Sequence, residues 1–62
     1  MTTEAAEARE RVRKAWPGAW AEHMVSGPWV ILTPEVLMLG DGPTEDEAWI
    51  NAAAGLQQES EA

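Results

Sequence analysis

The chain predicts an α+β mini-domain of order α-β-β-β-α, an antiparallel meander sheet packed by two helices. Three observations carry this. Apolar residues recur at helical spacing near both ends of the chain. The middle carries short runs rich in β-branched and aromatic residues. Turn-forming groups, Pro17-Gly18, Ser26-Gly27-Pro28, Pro34 and Gly40-Asp41-Gly42-Pro43, separate these segments.

The first helix spans Thr2 to Trp16. Thr2 or Thr3 caps its start, and Glu4 and Glu7 suit the positive end of the helix dipole. Arg11, Arg13 and Lys14 suit the other end, and Ala5, Ala8, Val12 and Ala15 form a narrow apolar stripe. Glu7–Arg11 and Glu10–Lys14 are i,i+4 pairs in the favourable order. Pro17 and Gly18 stop the helix.

Ala19 to Val25 reads as a strand with Trp20, Glu22 and Met24 on one face and Ala21, His23 and Val25 on the other. A loop in its place would leave an α-β-β-α order. Trp29 to Thr33 is the clearest strand. Thr33-Pro34-Glu35-Val36 suits a β-turn with Pro34 at its second position. Val36 to Leu39 is expected to return antiparallel, and Gly40-Asp41-Gly42-Pro43 to break the sheet. Thr44 opens the second helix with a capping box completed by Glu47. Trp49, Ala52, Ala53 and Leu56 make its apolar face, Gly55 caps it or interrupts its last turn, and 57–62 reads as a frayed acidic tail.

Sixty-two residues make a single domain, 1–62. A chain this short buries only about 60% of its unfolded surface. It has no cysteine, so disulfides and thiolate zinc sites are excluded. The four tryptophans compensate, each able to bury roughly 150–250 Å². Trp29 and Trp49 suit the core, and of Trp16 and Trp20 at least one is expected to stay partly exposed. No apolar run approaches the ~20 residues of a membrane span, and the N-terminus is polar and charged. These features point to a cytoplasmic protein.

Charge is the most pointed functional signal. All four basic residues, Arg9, Arg11, Arg13 and Lys14, precede Ala15, whereas eight of the eleven acids follow it: Glu22, Glu35, Asp41, Glu45, Asp46, Glu47, Glu59 and Glu61. A body of one sign selects basic partners and repels nucleic-acid phosphates, which argues against direct nucleic-acid binding. Read plainly, the same acids are a solubilising face.

Catalytic patterns are missing. His23 and Ser26 have no acid placed to complete a nucleophile–base–orienter set, and His23 lacks co-ligands at metal spacing. A half-exposed strand histidine is the simpler reading. Asp41 to Glu47 superficially resembles a calcium loop, but Pro43 and Asp46 stand where an EF-hand needs an acid or amide and a glycine. The glycines follow no phosphate-loop spacing. No enzyme, cofactor or metal is expected.

Trp29-Val30-Ile31-Leu32 and Val36-Leu37-Met38-Leu39 are apolar without alternation, so both faces of that hairpin are apolar. Two short helices cover one face. The other is expected to be a protein contact surface or a dimer interface, unless helices and tryptophans wrap both sides.

The stretch Leu39-Gly40-Asp41-Gly42-Pro43-Thr44-Glu45-Asp46-Glu47-Ala48-Trp49-Ile50-Asn51-Ala52-Ala53 resembles the strand-to-helix corner of HicB-type antitoxins and of short phage open reading frames. The whole chain, in length, acidity and α/β make-up, is similar to small acidic anti-CRISPR proteins of phages and mobile elements. Among these it looks most like inhibitors of type I (Cascade) systems, including type I-C. That resemblance implies a protein that binds the effector complex and blocks target DNA by presenting acids to a basic DNA-binding channel.

Together these features lead to a non-enzymatic inhibitor with a DNA-mimicking acidic surface and a basic partner such as a Cascade subunit. Asp41, Glu45, Asp46 and Glu47 are the expected contact residues, joined by Glu35 and Glu22, and a monomer is favoured over a homodimer. The alternative is an antitoxin-like or structural phage protein acting through its apolar sheet face.

Overall fold

The structure, a computed structural model, describes the backbone of residues 1–61 and the side chains of residues 1–56. The frayed tail expected over 57–62 lies outside these fully described residues. The elements follow the predicted order: α1 (Thr3–Ala15), β1 (Trp20–His23), β2 (Trp29–Leu32), β3 (Met38–Gly42) and α2 (Glu45–Glu61). The sheet is antiparallel, in the order β1-β2-β3.

Thr2 caps α1 through its hydroxyl, which accepts from the Ala5 amide at 3.1 Å. Ala5, Ala8 and Val12 are buried as the stripe requires, but Ala15 is exposed. Neither Glu7–Arg11 nor Glu10–Lys14 closes into an ion pair among the described residues. Exposed pairs of this kind gain little over hydration, so the open geometry costs little. Trp16 ends the helix, its amide bonding the Val12 carbonyl at 2.7 Å.

Both helices lie on one side of the sheet. Helix α2 packs on all three strands and α1 packs on α2. The core joins Ala8 and Val12 of α1, Ala19, Ile31 of β2, and Ala48, Trp49, Ala52 and Ala53 of α2. The helices run in the same direction: Thr2 meets Asp46, and further along Glu7 and Arg11 line a groove with Ile50 and Ala54. Two helix N-termini are therefore adjacent, where their positive dipole ends would repel. Asp46, in the first turn of α2, offsets this by accepting the Thr2 amide at 3.1 Å. Asp46→Ala removes an acid shared by two N-termini and is expected to cost about 1 kcal/mol. In a domain of this size that lowers Tm by roughly 4–8 °C in a thermal melt.

The third strand differs from expectation. It begins at Met38 rather than Val36 and continues through Gly40-Asp41-Gly42, which the sequence suggested would break the sheet. Two causes combine. First, Val36 adopts φ 63, which delays the strand. The Thr33–Val36 turn forms as expected, with the Val36 amide on the Thr33 carbonyl at 2.7 Å. The Thr33 amide then donates to the Leu37 carbonyl at 3.1 Å. This is the hairpin loop that places a left-handed residue after the turn, normally glycine. Second, α2 lies so close to β3 that only glycine fits. A Cβ on Gly40 would stand 2.5 Å from the Ala52 nitrogen, and one on Gly42 would stand 2.8 Å from the Ala48 nitrogen. Two strand residues rise about 6.8 Å and four helical residues about 6 Å, so the Gly42/Ala48 and Gly40/Ala52 contacts stay in step.

A β-branched residue in the left-handed region is strained by roughly 1–2 kcal/mol. Val36 is exposed and loses no packing on truncation. Val36→Gly is therefore expected to raise the stability measured by urea unfolding by about 0.5–1 kcal/mol, after the entropic cost of glycine.

Helix α2 opens on half a capping box. The Glu47 amide donates to the Thr44 hydroxyl at 3.2 Å, but among the described residues the Thr44 amide makes no return bond to the Glu47 carboxylate. Gly55 lies within the helix, which continues past it. No helix among the described residues is long and apolar enough to cross a membrane.

Candidate partner-binding surface

Side chains alternate across a strand, and Ile31 and Ala21 pack toward the helices. Trp20, Glu22, Val30, Leu32 and Asp41 consequently fall on the opposite face, as does Met38, with the β2–β3 register shift falling between it and Gly40. Among the described residues, neither helix covers this face. The register arranges it in two rows. Trp20, Leu32 and Met38 form one row across the three strands, and Glu22, Val30 and Asp41 form the other.

The apolar row is open to solvent at its ends, with Trp20 39% and Met38 63% exposed. Leu37 and Val36, also exposed, extend it into the turn. Trp16 is half-buried against the core, so Trp20 is the more exposed of the two tryptophans flanking Pro17-Gly18. In the acidic row, Glu22 and Asp41 are exposed on either side of Val30. Two strand spacings put their backbones about 10 Å apart. Asp41 is held in place by its backbone: the Asn51 side-chain amide donates to its carbonyl at 2.7 Å, and among the described residues the carboxylate is free.

The other expected contact acids fare differently. Glu45 is half-buried, its Oε2 accepting from the Trp49 indole at 3.2 Å, and Asp46 is engaged by Thr2. Both serve the fold. Glu47 is exposed, and its Cβ lies 2.9 Å from where a Gly42 side chain would begin, which puts it beside the strand carrying Asp41. Glu35 sits in the β2–β3 turn, at the opposite end of the sheet from the start of α2. The six acids thus do not form one site: among the described residues Glu22 and Asp41 are free on the uncovered face, Glu47 is exposed on the helix side of β3, Glu45 and Asp46 are bonded internally, and Glu35 is apart.

The basic end of α1 lies away from the start of α2. The helix starts beside Asp46, and ten to eleven residues of rise carry Arg13 and Lys14 about 16 Å away. That exceeds the ~8 Å screening length at physiological salt.

His23 is stacked on Trp29, ring centroids 4.7 Å apart and planes within 9°. The concavity beside it, lined by Ser26, Pro28, Asp41 and Pro43, opens widely to solvent. Among the described residues, no group of three or more His, Cys, Asp or Glu side chains is placed to hold a metal ion.

No protein-family model matches the chain, and comparisons with curated proteins and with solved structures found no match.

Proposed function

We propose that this protein is a non-enzymatic inhibitor that docks on a basic, nucleic-acid-binding surface of another protein through the uncovered face of its sheet. The observation that carries the proposal is the pair Glu22 and Asp41, set on either side of Val30 beside the row Trp20–Leu32–Met38, which is exposed at both ends. Two unneutralised carboxylates meet Lys or Arg, and the aromatic and thioether side chains supply the desolvated contact that anchors an interface. Glu47 adds an exposed acid at the start of α2, on the helix side of the sheet. After Lys14 the sequence places no fixed positive charge to compete for these acids. The likeness to small acidic anti-CRISPR proteins supports a Cascade-type effector as the target, with its DNA-binding channel occupied by acids in place of phosphates.

The exposed apolar row supports a second reading, in which an antitoxin-like or structural phage protein uses Trp20, Leu37 and Met38 with little help from charge. Salt distinguishes the two. Affinity for the complex captured from a bacterial lysate carrying a type I effector is expected to fall by about tenfold or more from low to physiological salt. An affinity that stays flat across that range rejects charge-led docking and selects the apolar reading.

A further inference from the structure

We infer that the free edge of β1 receives an extended basic segment of the partner as a fourth strand; this rests on the basic-partner reading above. The Met24 amide donates to the Pro28 carbonyl at 3.2 Å, continuing the β1–β2 register. In an antiparallel ladder, residues alternate between those bonded to the neighbour and those turned away. Trp20, Glu22 and Met24 therefore bond toward β2, and Ala21 and His23 direct their N–H and C=O groups outward. The Thr33 amide bond to Leu37 fixes the same alternation on the other side of β2.

The two edges of the sheet are not equivalent. On β3, the Asn51 side chain occupies the outward carbonyl of Asp41 at 2.7 Å. On β1, no backbone bond from outside the sheet reaches Ala21 or His23 among the described residues. Unpaired edges of this kind template an added strand, with main-chain bonds giving affinity and alternate side chains giving selectivity.

Charge chooses the occupant. The residue opposite Glu22 on an incoming strand would stand about 4.5–5.5 Å from it, Cβ to Cβ, a position for Lys or Arg. A second copy of this chain fits poorly. The symmetric register that uses both Ala21 and His23 places Glu22 directly opposite Glu22, and like charges there are destabilising.

At 62 residues the chain is accessible to total synthesis, so N-methylalanine can replace Ala21 and delete the outward donor without touching β2. The probe is an end-capped Lys-Val-Lys-Val-Lys peptide, with Glu-Val-Glu-Val-Glu as its counterpart. On adding the lysine peptide, the Ala21 and His23 amides are expected to shift and to slow their hydrogen exchange about tenfold or more, with N-methylation weakening binding to a similar degree. Absence of slowing at Ala21 and His23 in the unmodified protein overturns strand addition, whatever the modified chain does. Binding lost in Glu22→Lys but unchanged by N-methylation also rejects strand addition, while the basic-partner reading stands. Equal binding of the glutamate peptide rejects the basic-partner reading itself.

Discussion

Gly40→Ala is expected to remove about 3 kcal/mol of the fold's stability, a third of it or more. The new methyl carbon would lie 2.5 Å from the Ala52 nitrogen, 2.7 Å from its Cα and 2.9 Å from its Cβ. Two of these are backbone atoms of a helix, which no rotamer change can move aside. Relief requires α2 to lift from β3, which uncovers Ile31 and separates Ala52 and Ala53 from the core they complete. Overpacking costs about 1–3 kcal/mol, and a clash with rigid backbone belongs at the upper end. A domain of 62 residues has only roughly 3–9 kcal/mol to lose. Urea unfolding followed by tryptophan fluorescence measures this. Gly27→Ala is the control, since its Cβ would meet only Met24 at an ordinary 3.5 Å, and a change within about 0.5 kcal/mol is expected there. A Gly40→Ala protein as stable as the Gly27→Ala protein would contradict the tight seam between α2 and β3.

The same seam shows where sequence reasoning succeeds and where it stops. Helix periodicity identifies the buried residues Val12, Trp49, Ala52 and Ala53, because a 3.6-residue repeat is a local property. The Thr33–Val36 turn is equally local. Glycines at 40 and 42 are ambiguous, because glycine marks both a broken strand and a strand that another backbone approaches closely. Only the alanines at 48 and 52, one helical turn apart, hint at the second meaning, and that hint requires knowing that α2 folds back along β3. Val36 is a case where tertiary structure overrides local preference, since nothing in a β-branched residue forecasts φ 63.

The candidate surface divides along similar lines. That acids dominate after Lys14 is plain from the chain, whereas an uncovered apolar sheet face is only one of the two arrangements it allows. Which acids act together is not, because Glu22 and Asp41 become neighbours only through the register of both strands with Val30. The corner at Glu45 to Glu47 looks like the strongest cluster in sequence, yet parallel packing of α1 on α2 commits Asp46 to Thr2, and one helical turn commits Glu45 to the Trp49 indole. Glu47, the residue whose side chain a capping box would occupy, is the one left exposed.

The largest functional effect is expected from reversing the two sheet-face acids together. Glu22→Lys with Asp41→Lys turns two attractive contacts into two repulsive ones at the centre of the proposed interface. Among the described residues neither carboxylate bonds elsewhere, and the Asn51 contact to Asp41 uses the main-chain carbonyl, so the fold is expected to remain within about 0.5 kcal/mol of the wild type. Each reversed contact is expected to cost about 1.4 kcal/mol or more, which for two is about 100-fold in affinity. Reversal at Glu45 or Asp46 is a poorer test, because it also disturbs the bonds to Trp49 and Thr2. Glu35→Lys is the positional control: it makes the charge change of one of the two reversals in the β2–β3 turn, at the far end of the sheet from the start of α2.

The most direct measurement is the affinity of wild type, Glu35→Lys and the double reversal for the complex captured from a lysate containing a type I effector, at one fixed low salt concentration. The expected result is a loss of about 100-fold for the double reversal and no more than about threefold for Glu35→Lys. A folded double-reversal protein that binds within threefold of wild type, while Trp20→Ala with Met38→Ala abolishes binding, would contradict docking through the acidic row.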